Sequence, residues 1–314
     1  MTEKRLICPI SYNQIPDQSL YSPEGLKQLD RKLIKLCLLS YTTQELHKEI
    51  SLRANKISIQ GVQPKLSARF NSTKKSFELV NKRATYILKP QHPLYSEVPE
   101  NESLSMKLGE TIGIEMPVFG MIYGSDMALT YFIKRFDRKG HKTKFAVEDF
   151  SQLTQKTRAT KYNATMEQVI TVVDSYCTFP LIEKVKLFKR TLFNFLIGNE
   201  DMHLKNFSLI TREDKIELAP AYDFLNTTII LENTKEEMAL ALRGKKSNFK
   251  KDTLIDYFAK ERLRLNQNSI KDVLDMIESH YKNWESMIKG SFLSDENKEK
   301  YLSLVNVRWA RLFQ

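Results

Sequence analysis

The chain has 314 residues, 41% of them hydrophobic and 28% charged, with a formal net charge of +11. That composition is ordinarily globular and the length suits about two domains or lobes. No 18-residue apolar run and no basic, apolar and small-residue leader over residues 1–30 is present, so the sequence predicts a soluble, cytoplasmic protein rather than a membrane-spanning or secreted one. Cys8, Cys37 and Cys177 are far apart and make no C-x-x-C pair, which favours reduced structural thiols over a metal site or a disulfide framework. The excess lysines fall in short runs such as Lys245-Lys246 and Lys250-Lys251, without interleaved aromatics. A solvated surface is therefore favoured over a nucleic-acid face.

Residues 1–25 carry the turn formers Pro9, Pro16, Asp17, Pro23 and Gly25, and predict loop with a strand at Arg5 to Ile10. From Ser22 an N-cap followed by proline opens a helix, which Leu26, Leu29, Leu33 and Leu36 continue at helical spacing. A second helix starts near Thr43 and runs toward Ala54. Ile57 and Ile59, then Leu66, Ala68 and Phe70, alternate on either side of Gly61 and Pro64, a strand, loop, strand pattern. The loop residues Gly61, Val62 and Gln63 are either a plain turn or a place where backbone N–H groups lie over phosphates.

The strand Thr85 to Pro90 ends with Lys89 in apolar surroundings, where an ammonium needs an anionic partner unless the strand is an edge in water. A helix from Glu100 or Asn101 to about Ile112, stopped by Gly113, carries Glu102 in its first turn. That carboxylate either reaches back to Lys89 or only complements the helix dipole. Two strands, Val118 to Tyr123 and Met127 to Ile133, meet at Gly124-Ser125-Asp126, and Lys134 to Gly140 breaks the pattern as a connector.

From about Val147 the pattern is helical. One helix opens at Glu148-Asp149-Phe150, another runs from Thr165 to about Cys177, and a long buried one spans Leu181 to Leu196. Its apolar run ends at Gly198, and Asn199, Glu200, Asp201, His203, Lys205 and Asn206 follow before apolar residues return at Phe207. A hairpin turns at Arg212-Glu213-Asp214, Asp223 follows a short apolar strand, and helices after Lys251, Ser269 and Asp295 close the chain.

Asp201 and Asn206 are five apart. In phosphoryl-transfer enzymes that spacing lets an aspartate orient the attacking hydroxyl while an asparagine holds a metal. The order of loop, strand lysine, helical glutamate, connector, D-x-x-x-x-N and a later aspartate is the serial layout of a kinase. ATP brings about four negative charges, so the chain must supply cations and oxygen ligands in place. Lys89 would take phosphates, Asn206 and Asp223 would hold Mg²⁺, and Asp201 would orient the hydroxyl. His203 and Lys205 share the loop, where a cation could stabilise the transferring group. His203 either packs and shapes the loop or moves a proton. The expected class is α+β and two-lobed, with a small mixed N-lobe over residues 1–136 and a mainly helical C-lobe over residues 137–314.

The segments I-G-N-E-D-M-H-L-K-N, Y-D-F, Y-I-L-K-P, P-E-N-E-S-L-S-M-K-L, F-I-K-R-F-D-R and S-I-Q-G-V-Q-P-K-L-S resemble the HipA family of bacterial serine/threonine kinase toxins, over roughly residues 5–314. The resemblance implies a two-lobed, kinase-like fold, Mg-ATP dependence and a protein target, typically an aminoacyl-tRNA synthetase whose phosphorylation halts growth. It assigns Asp201 as catalytic aspartate, Asn206 and Asp223 as metal ligands and Lys89 as the ATP lysine. Lys134 and Phe136 match linker positions whose backbone binds adenine, and Ser58 matches the autophosphorylated serine. A phosphate there adds about −1.5 to −2 charge beside the phosphate loop, a route to inactivation. The chain starts close to the kinase-like core, which resembles the short HipT type. That type implies a separate HipS-like small protein and a HipB-like DNA-binding protein, with DNA reached only through the latter. A second serine common in that type is Gln60 here. Other readings are a phosphoinositide-like or small-molecule kinase, which shares the histidine and asparagine spacing, and a non-catalytic nucleotide-binding scaffold. The sequence offers no strongly basic amphipathic helix for a membrane surface.

Overall fold

The computed structural model describes residues 7–15, 19–53, 63–140, 143–157, 159–231 and 235–314. Ser58, Gly61 and Val62, and with them the strand expected at Ile57 and Ile59, lie outside the described residues. The chain divides into two compact units. Unit 1 comprises residues up to Ser103, Pro117–Thr143 and Gly290–Phe292, and unit 2 comprises Leu104–Met116, Lys144–Lys289 and Leu293–Gln314.

Unit 1 is built on an antiparallel sheet of β1 (Leu66–Asn71), β2 (Ser76–Leu79), β3 (Tyr86–Lys89), β4 (Phe119–Tyr123) and β5 (Leu129–Lys134), in the order β2-β1-β3-β5-β4. Leu66, Ala68, Phe77, Tyr86, Leu88, Ile122 and Phe132 bury one core with Leu26, Leu33, Leu36 and Leu46. Phe77 meets Tyr86 and Phe132 at ring separations of 5.1 and 5.2 Å. Two helices lie before the sheet in sequence, α1 (Pro23–Leu29) and α2 (Thr43–Arg53). Ser22 caps α1 by accepting from the Gly25 N–H. The leucine spacing predicts a helix to Leu36, but α1 stops at Leu29. Asp30 turns extended and its carboxylate accepts the Lys32 N–H, so a local side-chain bond replaces the next helical one. Leu33 and Leu36 are still buried, at 6% and 5% exposure. Their spacing reported burial, not helix.

The helix α3 (Val98–Thr111) begins two residues before the expected start, because Pro99 fits a first helical turn. Glu100 therefore occupies the first turn and Glu102 the second. Glu100 is 8% exposed; Gln91 Nε2 donates to its Oε1 at 2.7 Å, while its buried Oε2 has no partner among the described residues. Burial pushes its carboxyl up to about 7 from an ordinary value of 4.5. A raised carboxyl favours the protonated fold, so this contribution is fully present below about pH 4.5 and is lost as pH rises through about 7. The gap corresponds to on the order of 3 kcal/mol. Glu100→Gln should match the parent's stability at pH 4.5 and exceed it by about 2–3 kcal/mol at pH 8. Urea unfolding at the two pH values measures the difference, and an equal gap at both would contradict the burial argument.

The two-residue strands β6 (Arg138–Lys139) and β7 (Thr143–Lys144) follow the sheet. In unit 2 a second sheet has the order β10-β9-β8, from β8 (Val147–Asp149), β9 (Ser208–Arg212) and β10 (Lys215–Leu218). Residues 147–149 were expected to be helical; they pair with β9 instead, and Asp149 then caps the four-residue α4 (Phe150–Leu153) in a capping box with Gln152. Thr165 and Gln168 form the same device for α5 (Met166–Tyr176). The long α6 (Pro180–Ile197) buries Leu187, Phe188, Leu192, Phe193, Phe195 and Leu196. Phe193 packs on Phe224 and Trp284 at 5.2 and 5.5 Å. A π-helix (Asp252–Arg262), α7 (Gln267–Lys289) and α8 (Asp295–Phe313) complete the unit. Among the described residues no helix is long and apolar enough to cross a membrane.

Candidate active site

The residues singled out from the sequence fall into two groups, one in each unit. In unit 1, β3 is the central strand of its sheet, not an edge, and Lys89 stands opposite Tyr131. Its ammonium lies 2.6 Å from Glu102 Oε1, with the two side chains only 6% and 1% exposed. Gln63 Nε2 donates to the other oxygen, Oε2, at 3.2 Å. Four residues from the start of α3 place Glu102 facing the strand end, so the reach back to Lys89 exists as a buried ion pair. Such a pair holds the lysine ammonium in one place beside its carboxylate. Lys134 ends β5 with its side chain exposed, and Phe136 is half-buried two residues on.

In unit 2 the apolar face of α6 needs a sharp stop, and Gly198 provides it with φ +75°. A β-carbon there would sit 2.3 Å from Leu304 Cδ2 and 2.8 Å from Thr228 Oγ1, so both backbone and space require glycine. Asn199, 1% exposed, then holds three things. Its Nδ2 donates to Asn194 Oδ1 at 2.9 Å and to the Asp223 carbonyl at 3.2 Å, and its Oδ1 accepts the Asp201 N–H at 3.3 Å. The next residue, Glu200, pairs with Arg308 at 3.1 Å, and Arg308 also donates to the Phe195 carbonyl, so α8 braces the end of α6.

A single 3₁₀ turn, Leu204–Asn206, closes the loop. Asn206 Nδ2 donates to the Asp201 carbonyl at 3.0 Å, which ties the two ends of D-x-x-x-x-N together and leaves the amide oxygen for another partner. Asp223 sits at φ +57°, a left-handed conformation uncommon for a residue with a β-carbon and often found at functional sites. Lys205 enters through its backbone, whose carbonyl accepts from Tyr222 Oη at 2.9 Å.

His203 is 4% exposed, and its Nε2 is hydrogen-bonded to the Lys161 ammonium. Burial lowers its pKa, with the Lys161 charge acting the same way and Asp201 and Asp223 opposing. An ammonium can only donate, so the neutral ring accepts at Nε2 and carries its proton on Nδ1. That geometry suits a loop-shaping ring. Tyr162 donates its hydroxyl to Asp201 Oδ1, and its ring meets His203 edge-on at 5.0 Å. Lys161, Tyr162 and the bracing role of Asn199 were not read from the sequence. Asn199 stood inside the polar loop two residues before the aspartate, and that position was its one signal; the Lys161-Tyr162 pair carried none.

A family model for the HipA-like C-terminal domain matches residues 57–284. The chain belongs to the HipA family. A Haemophilus influenzae relative provisionally named a kinase is 28% identical over 71% of this HipA-family chain and 67% of its own length. The Sinorhizobium fredii protein Y4dM, with a similar provisional name, is 32% identical over 67% of this chain and 55% of its own length. The serine/threonine-protein kinase toxin HipA of Shewanella oneidensis is 25% identical over 60% of this chain and 47% of its own. The matches thus span about half to two thirds of these relatives. Among solved structures, Shewanella oneidensis HipA, in a complex with HipB and operator DNA, superposes with a TM-score of 0.68 at 19% identity, covering 95% of this chain and 74% of that one. The Helicobacter pylori proinflammatory kinase CtkA gives 0.56 at 16% identity, covering 82% and 91%. At those identities the likeness is one of fold: mixed α/β, with the sheet of unit 1 and the helices of unit 2.

Proposed function

We propose that this HipA-family chain is an ATP-dependent protein kinase that transfers a phosphoryl group to a serine or threonine hydroxyl. The observation that carries this reading is the closed loop, in which the Asn206 amide holds the backbone of Asp201, whose carboxylate would orient the acceptor. The Lys89–Glu102 pair supports it from unit 1, as a charged lysine suited to the α and β phosphates. Asn206 and Asp223 offer hard oxygen donors that fit Mg²⁺, and the ion would neutralise phosphate charge when bound. The chain's own part is to hold the backbones that carry the Asn206 amide and the Asp223 carboxylate, through the 3₁₀ turn and the Asn199 bond to the Asp223 carbonyl.

The kinase names of the relatives support the reaction class, and the HipB complex of the Shewanella protein supports a HipB-like DNA-binding partner. The finer reading is a toxin of the short HipT type, with a HipS-like partner, an aminoacyl-tRNA synthetase as target and autophosphorylation at Ser58. Purified protein incubated with Mg-ATP should gain one phosphate by intact mass, mapped by peptide sequencing to Ser58, and chelation of the metal should stop the gain. A folded protein that binds no nucleotide and gains no mass would overturn the kinase reading; a gain at another residue would overturn the Ser58 assignment alone.

A further inference from the structure

The Lys161-Tyr162 pair has no part in the chemistry above, yet it makes the most direct contact in unit 2 with the aspartate of the loop. Tyr162 Oη donates to Asp201 Oδ1. That is the hydrogen bond an acceptor hydroxyl must make if Asp201 orients it. We infer that Tyr162 holds the place of the acceptor hydroxyl on Asp201, and that a substrate hydroxyl reaches the carboxylate by displacing it. The inference rests on the reading of Asp201 as the acceptor-orienting residue.

Three features favour displacement over a fixed structural bolt. The Asp201 side chain is 50% exposed and Tyr162 is 38% exposed, so the bond lies at the surface of unit 2 and not in its core. Tyr162 lies in a segment whose described residues between α4 and α5 form turns with no helix or strand. Local anchors hold the segment: the Lys161 ammonium on His203, the same ammonium 4.7 Å from the Tyr162 ring centroid, and the Lys161 carbonyl accepting the Leu204 N–H at 3.5 Å. Lys161 and the ring edge on His203 align the hydroxyl with the aspartate, and among the described residues no other hydrogen bond reaches the tip. An exposed tyrosine tip can leave the carboxylate without disturbing the apolar residues beneath it, which a buried tyrosine could not do.

The consequence is a competition. In the resting chain the strongest acceptor for the Tyr162 proton is the group that the substrate needs, so weak or poorly placed hydroxyls, water included, are held off. A hydrogen bond to a charged partner is worth enough to slow acceptor use by roughly tenfold. Tyr162→Phe keeps the ring against His203 and removes only the hydroxyl.

The test compares the parent and Tyr162→Phe under saturating Mg-ATP, following phosphate incorporation into the chain by intact mass and ADP formation with water as acceptor. Affinity for a fluorescent ATP analogue and the melting temperature are measured alongside. The expected result is a roughly tenfold faster initial rate of both reactions in the variant, at an unchanged half-maximal ATP concentration, unchanged analogue affinity and an unchanged melting temperature. A purely structural tyrosine would instead lower the melting temperature and slow the reactions. Rates equal to or below the parent's, or phosphate mapped onto Tyr162 itself, would overturn the inference while leaving the kinase reading in place. Absence of any transfer in both proteins, with no analogue bound, would remove the kinase reading and this inference with it.

Discussion

Asp201→Asn should leave nucleotide binding and stability intact while cutting phosphate transfer by roughly 10²–10⁴-fold, the usual range for loss of a positioned acid–base group. The side chain is half-exposed and contributes no core packing, so a surface-sized stability change, within about 0.5 kcal/mol, is expected. The backbone of the loop is held independently of the carboxylate, through the Asn206 amide on the Asp201 carbonyl and the Asn199 amide on its N–H. Asparagine keeps the shape and can still accept from Tyr162, but it cannot attract a proton from an approaching hydroxyl. Intact-mass kinetics report the transfer, and a fluorescent ATP analogue reports binding. A variant that transfers at the parent's rate would move the chemistry to another residue.

The second large effect concerns stability. Glu102→Ala should destabilise unit 1 by about 3–5 kcal/mol, because it breaks a buried ion pair at 2.6 Å and also takes an acceptor from Gln63. Against a typical total of about 5–15 kcal/mol, that is a large fraction. The paired replacement Lys89→Met with Glu102→Leu removes both charges at similar volume and should return stability to near the parent's or above it. Urea unfolding of the single and double variants, followed by far-ultraviolet circular dichroism, closes the cycle. If the double variant were as unstable as the single one, the cost would lie in packing around the pair and not in the loss of the Glu102 carboxylate. The double variant should still bind nucleotide poorly, which separates the pair's use from its thermodynamic worth.

How much of this was legible in the sequence follows from the range of the interactions. Gly198 was visible because a helix stop is local: an apolar run, then glycine, then polar residues. Asp201 and Asn206 were visible because a fixed spacing within one loop carries their geometry. Lys89 and Glu102 are 13 apart, and the sequence left open whether they met; it took the central position of β3 and the earlier start of α3 to bring them together. Leu33 and Leu36 show the reverse error, since helical spacing there marks burial on irregular backbone after Asp30 has ended α1. Tyr162 was invisible because its partner lies 39 residues on, and no composition or period links a tyrosine in a turn to a carboxylate at that distance. The strand at 147–149 was missed for the same reason: its partner β9 lies some 60 residues later, across three helices.

Asn199 gives the loop a mechanical property that no single contact has. One buried amide is bonded to the backbone on which the Asp201 carboxylate rides and to the backbone that carries Asp223. Thermal displacements of the two segments are therefore correlated: when one shifts, the shared side chain carries the other with it. The spacing between the two backbone segments should then fluctuate less than the position of either one.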